Sequence, residues 1–471
     1  MAKSKNIIIY LLLVCGFIIV VYWTVQKGKV LEIKSDDLPL KAILDASLSI
    51  NLKNPLAILL SQVIAIILVA RVFGSIFKKI RQPAVIGEVM SGIFLGSSFL
   101  GSYFPSFSDF IFPKTSLENL HLISQVGLIL FMFIIGMELD LKTLKKNIGN
   151  AVIISHASII IPFSLGMILA YFLYSEFAPQ NVNFLSFSLF MGIAMSITAF
   201  PVLARILQER GLMSTHFGII ALACAAIDDI TAWCILAVVI AIVKADSFTS
   251  GMLTITMAMG YIIVMLKVIK PLVKNFWENR TKEKKMNFDR ITILFVILLL
   301  SSYLTEIIGI HALFGAFLAG VIMPSKSGFR QELIEKIEHV SLGLFLPLFF
   351  AYSGLRTQLG LLNNLHLWTV FGLILLIAVL GKFGGSMFTA KLVGQSWKDS
   401  LSIGALMNTR GLMELIVLNI GYDLGILTQT FFSIMILMAV ATTLMTGPCL
   451  DIIDQYSKTK KRSKLNSTCN P

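Results

Sequence analysis

Charged residues are scarce in this sequence, and their scarcity excludes an ordinary soluble fold. Only 14% of the 471 residues are Asp, Glu, Lys or Arg, whereas 56% are hydrophobic. A soluble domain carries about 25% charged residues. Apolar stretches of about 20 residues recur along the chain instead, and a helix of that length crosses a bilayer core. The sequence therefore predicts an all-α polytopic membrane protein in a lipid bilayer. The strands of a β-barrel would alternate polar and apolar residues.

Cysteine and histidine are too few and too scattered to indicate a disulfide framework or a metal centre. The five cysteines form no CxxC pair, and the six histidines show no ligand spacing. We therefore expect no cofactor and no bound metal centre. The formal net charge of +13 is typical of basic cytoplasmic loops in a membrane protein, so we expect no nucleic-acid partner.

The apolar stretches predict about fourteen transmembrane helices. Their expected bounds are 7–23, 55–76, 84–103, 120–139, 148–174, 184–204, 217–243, 251–273, 291–308, 310–325, 340–355, 366–390, 399–420 and 430–450. Most Lys and Arg residues lie in connections on the same side as the N-terminus. Because cytoplasmic loops carry the excess of Lys and Arg, we expect both termini in the cytoplasm. The plasma membrane is the expected location of the chain.

Two acidic residues lie side by side where an apolar helix should cross the bilayer centre. The stretch CAAIDDITAW places Asp228 and Asp229 near the middle of span 217–243. An ionised carboxylate at that depth costs about 2.5–3.5 kcal/mol on insertion scales. Such residues usually mark an ion or proton pathway, so we predict that this pair binds protons and ions. The alternative is a pair satisfied only by packing against polar groups.

A buried cation is available to balance this charge. Lys382 lies at similar depth in span 366–390, among glycines that let another helix approach closely. We predict an ion pair between Lys382 and Asp228. The alternative for Lys382 is snorkelling of its ammonium group to the membrane interface.

Two predicted spans contain residues that interrupt a helix. In SLFMGIAMSITAFPVLARI, Pro201 removes a helix hydrogen bond, and the freed backbone groups can bond to Ser196 and Thr198. In SIGALMNTRGLMELIVLNIGY the helix is interrupted over residues 408–411. Interrupted helices at corresponding positions in two halves indicate a transporter binding site. We therefore expect inverted repeats, spans five to seven and twelve to fourteen, with two crossing broken helices.

Further polar residues near these breaks are candidates for the same site. Asn408 and Thr409 lie within the second break. Arg410 and Glu414 are four residues apart and can pair on one helix face. Glu306, near the end of span 291–308, is a candidate accessory proton carrier, with an interfacial role as the alternative.

Six motifs in order carry a resemblance to a known family. They are RQPAVIGEVMSGIFLG, FMFIIGMELDL, AFPVLARILQERGL, AAIDDITAW, GIHALFGAFLAGVIMP and MNTRGLMELIVLNIG. Together they resemble the cation:proton antiporters, in the branch of bacterial Na⁺/H⁺ antiporters, potassium-efflux carriers and plant cation/H⁺ exchangers. The resemblance implies that Asp229 is the ion- and proton-binding carboxylate and that Asp228 pairs with Lys382. It also implies a homodimer, with spans two to four and nine to eleven as scaffold and the repeats as mobile core.

The resemblance divides the chain into three parts. Residues 1–54 form an extra N-terminal transmembrane helix and external loop, residues 55–450 the exchanger domain, and residues 451–471 a basic, disordered cytoplasmic tail. The first helix follows the basic start MAKSKN and no small-residue cleavage site follows it, so we expect it to be retained; a cleaved signal peptide is the alternative. We expect no nucleotide-binding regulatory domain of the kind that long potassium-efflux relatives carry.

The expected function is exchange of monovalent cations for protons by alternating access. Na⁺ and K⁺ are the expected cations, with Li⁺ as a further substrate. Some sodium-selective members carry an acidic residue in the first broken helix, and residues 191–205 contain none, which argues against strict sodium selectivity. The alternative is an ion channel or ion-sensing membrane protein without coupled exchange. An intramembrane aspartyl protease is disfavoured, because neighbouring residues on one helix cannot readily share a proton.

Overall fold

The computed structural model describes residues 2–28, 51–80, 82–138, 148–213, 215–244, 248–278, 288–324 and 328–468. The regular elements in these ranges are all helical. The chain divides into two units, Met1–Ala57 and Ile58–Pro471. The first unit contains helix α1, Ala2–Gly28, a continuous apolar helix whose described side chains are almost all exposed.

The remaining helices follow in chain order. They are α2 Pro55–Lys79, α3 Ala84–Leu95, α4 Leu100–Tyr103, α5 Pro105–Ile111, α6 Leu117–Glu138, α7 Ile148–Phe177, α8 Phe184–Ser196, α9 Phe200–Glu209, α10 His216–Lys244, α11 Phe248–Val264, α12 Lys270–Glu278, α13 Phe288–Ile308, α14 Ala312–Val321, α15 Gly328–Val340, α16 Leu346–Arg356, α17 Leu365–Val379, α18 Gly385–Leu392, α19 Trp397–Met407, α20 Leu412–Asp423 and α21 Gln429–Thr468. Single π-helical turns join α11 to α12, α15 to α16 and α17 to α18.

The all-helical membrane fold is confirmed. Within the described ranges, ten helical segments are long and apolar enough to cross a membrane, and α8 and α14 are shorter apolar helices. The count of fourteen spans stays a prediction. Several expected spans have different bounds. Span 84–103 is interrupted after Leu95, span 340–355 continues a helix that begins at Gly328, and the helix of span 430–450 extends to Thr468.

The expectation of a disordered tail was wrong for most of its length. Helix α21 runs without interruption from Gln429 to Thr468. After Pro448 the described part of the helix contains neither glycine nor proline, and Lys, Arg, Gln and Leu favour helix. The polar composition therefore continues the helix beyond the apolar stretch. Residues 469–471 lie outside the described residues.

Small residues bring α6 and α14 into close contact. A Cβ atom on Gly136 would lie 2.1 Å from the carbonyl oxygen of Phe317, and one on Gly320 would lie 2.2 Å from that of Phe133. In a membrane there is no hydrophobic drive between helices, so such close packing supplies much of the association. Helices α3 and α16 meet in the same way, at Gly92 and Gly354.

The same order of three helical segments occurs twice in the chain, and we call each set a triplet. Each triplet has a long helical segment, an interrupted segment and a second long helix: α7, α8–α9 and α10, then α17–α18, α19–α20 and α21. Helix α7 packs against α8 and α10, and α19 packs against α18 and α21. The interruptions, at residues 197–199 and 408–411, lie next to each other, because the amide of Ala199 donates to the carbonyl of Thr409 at 3.1 Å. The two broken helices therefore cross.

The glycine contact between α6 and α14 gives a stability prediction. Gly136→Ala should lower the melting temperature in detergent, because forcing a methyl group into a packed contact costs about 1–3 kcal/mol. The control is Gly372→Ala, at a helical position where a Cβ meets nothing within 4 Å. It should leave stability unchanged or slightly raised, since alanine favours helix over glycine. Equal melting temperatures for the two variants would contradict the close contact.

Candidate ion-binding site

Asp228 is a carboxylate with a full set of donors. Its Oδ1 accepts a hydrogen bond from the Ser155 hydroxyl at 2.5 Å. Its Oδ2 accepts from the hydroxyls of Ser158 and Thr198, each at 2.8 Å, and from the ammonium of Lys382 at 2.9 Å. The side chain is fully buried. Four donors, two from α7, one from the first break and one from the segment α17–α18, therefore converge on this one carboxylate.

Lys382 lies at the centre of the π-helical turn Leu380–Gly384 and is fully buried. Besides Asp228, its ammonium group donates to the carbonyl of Ser158 at 2.9 Å and to the carbonyl of Ser196. The ammonium therefore joins three elements: α7, the end of α8, and α10. The structure thus brings together the two residues that the sequence suggested as partners. Irregular π turns of this kind occur often at functional sites.

Asp229 differs sharply from its neighbour. It is 1% exposed, and neither carboxylate oxygen accepts a well-formed hydrogen bond from the described residues, although the backbone amide of Phe200, at the start of α9, lies near the carboxylate. It borders a cavity of about 10 Å³. The other lining residues are Ile197, Ala232, Trp233, Leu236, Met413 and Val417. This volume is about one water-sized sphere, which is also the scale of a dehydrated monovalent cation.

The first break contributes one hydroxyl and one carbonyl to the site. The Thr198 hydroxyl lies between Asp228 and the carbonyl of Met407, 3.2 Å away. The backbone carbonyl of Ser196 accepts a hydrogen bond from Lys382. Its hydroxyl does not reach the site, because it donates to the carbonyl of Ile193 at 2.9 Å. The freed end of α8 is therefore satisfied by a side chain from another helix, as the membrane interior requires.

The second break places its two uncharged polar side chains, those of Asn408 and Thr409, in different surroundings. The Thr409 hydroxyl lies 3.2 Å from that of Thr446, and the Thr409 carbonyl accepts the amide of Ala199. The side-chain oxygen of Asn408 is buried and has no hydrogen-bond partner among the described residues. Thr409 therefore ties the crossing together, whereas Asn408 leaves an acceptor available there.

Arg410 and Glu414 form a second fully buried ion pair. The guanidinium Nη1 lies 3.0 Å from Oε1 of Glu414. The same guanidinium donates to the carbonyls of Ala194 and Met195, at 2.9 and 2.7 Å. These carbonyls belong to the last turn of α8, where a helix carries partial negative charge. Arg410 thus caps the first broken helix from the second.

Glu306 is not brought to this site. Its side chain is exposed, and its carboxylate accepts the amide of Ala312 at 2.8 Å, at the start of α14. Glu306 therefore caps the N-terminal end of α14. Ser155 and Ser158, by contrast, are in the site although the sequence did not point to them. The sequence pattern that could have indicated them is a pair of serines three residues apart in the span that precedes the first break.

Buried carboxylates at the crossing of two interrupted helices are a feature of ion-coupled membrane transporters. Comparison with known proteins identifies the family. Residues 64–453 match the family described as sodium/hydrogen exchanger, transmembrane. The chain is 41% identical over 396 residues to the Na⁺/H⁺ antiporter NhaS4 of Synechocystis sp., covering 84% of this chain and 97% of that protein.

Eukaryotic relatives and a solved structure agree with this match. Identity is 39% to cation/H⁺ antiporter 17 of Arabidopsis thaliana and 34% to K⁺/H⁺ antiporter 1 of Saccharomyces cerevisiae, each covering 88% of this chain. The chain spans 50% and 48% of the length of these two relatives. Its fold is similar to that of the sodium proton antiporter MjNhaP1 of Methanocaldococcus jannaschii, with a TM-score of 0.62 at 18% identity over 83% of this chain and 95% of that one.

The chain therefore belongs to the sodium/hydrogen exchanger family. This confirms the resemblance seen in the sequence. The family exchanges monovalent cations for protons across membranes and is a family of transporters, not of enzymes.

The contact between Lys382 and Asp228 gives the second prediction. Lys382→Ala should lower thermal stability in detergent, because removing one member of a buried ion pair costs about 3–5 kcal/mol. Adding Asp228→Asn should recover part of that loss, since neither charge is then left alone. The measurement is a double-mutant cycle on melting temperatures.

A surface pair supplies the matched control for this cycle. Lys398 and Asp454 lie at the same 2.9 Å, but their side chains are 42% and 47% exposed. Exposed pairs contribute little, so the cycle of Lys398→Ala with Asp454→Asn should show coupling near zero. If the effects of the Lys382 and Asp228 substitutions were additive, the coupling free energy would be zero and the buried contact would not contribute to stability.

Proposed function

We propose that this chain exchanges Na⁺ or K⁺ for protons by alternating access, with Asp229 as the site that cation and proton share. One observation carries the proposal: Asp229 is buried with two oxygens that lack hydrogen-bond partners, while its neighbour Asp228 is matched by Lys382. An isolated ionised carboxylate is costly in a low-dielectric interior. Binding of either a proton or a cation would remove that cost.

Competition for one carboxylate supplies the coupling. A proton on Asp229 removes the charge that a cation needs, and a bound cation favours the ionised form. If the core changes conformation readily only when Asp229 is neutralised, each passage carries one of the two ions. A ligand shifts a conformational equilibrium only through its different affinities for the two states, and here proton and cation would both favour the mobile form.

A large cavity on one side of the site supports alternating access. It measures about 620 Å³ and is lined by Phe200 of the first broken helix and by two carboxylates, Glu138 and Glu338. Glu138 directly precedes the predicted cytoplasmic connection that follows α6, and Glu338 lies in the predicted cytoplasmic connection before span 340–355. Phe200 is three residues from Ile197, which lines the small cavity at Asp229. We therefore assign the structure to an inward-facing state.

The opposite end of the bundle carries a network of contacts around Arg356. Its guanidinium lies 2.6 Å from Asp423 and donates to the side-chain oxygen of Asn419 at 3.2 Å. It also stacks on the rings of Tyr352 and Tyr422, with 4.7 and 4.8 Å to the ring centroids. This network ties the end of α16 to the end of α20. Side-chain contacts across the outer end, opposite an inner cavity, support a transporter over a continuous pore.

The finer assignments belong to the same proposal. We propose that both termini lie in the cytoplasm, which the distribution of Lys and Arg supports, and that the chain lies in the plasma membrane. Relatives named as Na⁺/H⁺ and K⁺/H⁺ antiporters support either cation. A homodimer is proposed, with α2, α3, α6, α13, α14 and α16 in the scaffold. The exposed stripe Leu56, Leu60, Ile64 and Leu68 on α2 offers an apolar face for it.

The proposal predicts that Asp229→Asn abolishes exchange while the protein stays folded. The amide can neither release a proton nor supply charge to a desolvated cation. Exchange should be measured in proteoliposomes with a pH-sensitive dye and imposed Na⁺, K⁺ and Li⁺ gradients. The control is Asp454→Asn, the same chemical change at an exposed position, which should keep exchange. A folded Asp229→Asn protein with more than about a tenth of wild-type exchange would exclude Asp229 as the shared site.

A further inference from the structure

We propose that Ser155 and Ser158 are positioning residues that hold Asp228 ionised against Lys382, so that Asp229 alone exchanges protons during transport. The inference rests on the proposed function for its account of Asp229. It concerns two residues that do not border the cavity at Asp229. Their part would be to keep the two adjacent carboxylates chemically different.

The two hydroxyls contact both oxygens of Asp228. Ser155 donates to Oδ1 at 2.5 Å, and Ser158 donates to Oδ2 at 2.8 Å. Both serines are fully buried. They are three residues apart on α7 and therefore lie on one face of that helix. Without them Oδ1 would have no donor among the described contacts, and Oδ2 would keep only Thr198 and Lys382.

Ser158 contacts both members of the ion pair. Its carbonyl accepts from the Lys382 ammonium at 2.9 Å, and its hydroxyl oxygen lies 3.3 Å from the same nitrogen. The hydroxyl hydrogen remains directed at Asp228. Ser158 thus fixes the ammonium and the carboxylate relative to one helix.

The hydroxyls of Ser155 and Ser158 form hydrogen bonds with another helix rather than with the backbone of their own helix. Serine and threonine side chains in helices usually bond back to a carbonyl three or four residues earlier. Ser188 does so in α8, donating to Leu185 at 3.0 Å, and Thr442 does so in α21, donating to Met438 at 2.9 Å. Ser155 and Ser158 direct their hydroxyls at a carboxylate on α10 instead. The face of α7 that carries these two serines therefore supplies hydrogen-bond donors to Asp228.

Hydrogen bonds to the charged form of a carboxylate favour that form. Asp228 receives three hydroxyl donors and an ammonium, whereas Asp229 receives none among the described residues. The two adjacent aspartates would then have different roles in transport. Asp228 would remain charged and balance Lys382, and Asp229 would lose and regain one proton in each cycle.

The test is the pH dependence of exchange in Ser155→Ala, Ser158→Ala and the double variant. Each should need a higher pH for half-maximal exchange, because a carboxylate that has lost a donor to its charged form takes up a proton more readily, and Asp228 would then compete with Asp229 for protons. The double variant should shift further. At high pH the maximal rate should recover to within about twofold of wild type. A purely structural role would lower the rate at every pH.

Ser188→Ala is the matched control, since it removes a fully buried serine hydroxyl from the same core without a charged partner. Its pH profile should coincide with that of wild type. An unchanged profile in the Ser155→Ala, Ser158→Ala and double variants would overturn the proposal, as would an equal shift in Ser188→Ala.

Infrared titration separates this inference from the proposed function. In an Asp229→Asn background, the carboxylic-acid C=O band that disappears with Asp228→Asn reports protonated Asp228. That band should appear at a pH about two units higher when Ser155 and Ser158 are both alanine, about one unit for each hydrogen bond lost from the charged form. If Asp229→Asn kept exchange, the shared site would be lost while the band shift still supported the serines as anchors of Asp228. If the band did not shift, the serines would be excluded whatever the transport result.

Discussion

The ion pair between Lys382 and Asp228 is the constraint on which the centre of this protein depends. Neither charge is tolerable in a membrane interior alone, and a buried pair is stable only when further hydrogen bonds satisfy both members. Here hydroxyls from α7 and the first break complete the carboxylate, and backbone carbonyls of α7 and α8 complete the ammonium. The arrangement fixes α7, α10 and the π turn of Lys382 around one point. Asp229, next to that point, is left as the carboxylate without a described partner.

The crossing of the broken helices follows from the same requirement. An interrupted helix exposes carbonyls that lipid cannot satisfy. At the end of α8 those carbonyls are bound by two buried cations, Lys382 from one side and Arg410 from the other. Both cations come from the second triplet, so the second half of the core satisfies the carbonyls that the first break frees. Next to these contacts lies the cavity of about 10 Å³ that Asp229 borders, with apolar side chains as its other lining.

The residues that violate the rules of a membrane helix could be predicted from the sequence. Asp228, Asp229 and Lys382 are charges in apolar stretches, and proline and polar runs mark the breaks. Ser155 and Ser158 could not be predicted in this way, because hydroxyls are common in membrane helices and usually bond to their own backbone. Their direction depends on how α7 is rotated against α10, and α7 is apolar on almost every face. The helical end of α21 was missed because polarity was interpreted as disorder.

Counting protons is the most direct test of the claim that one carboxylate is shared by proton and cation. Purified protein in weakly buffered detergent should release one proton per chain for each Na⁺ or K⁺ bound, at a pH where the cation-free protein holds that proton. Asp229→Asn should release none, and Asp228 should contribute nothing to the count while Lys382 is present. Cation binding without proton release, or release that survives Asp229→Asn, would contradict the shared site.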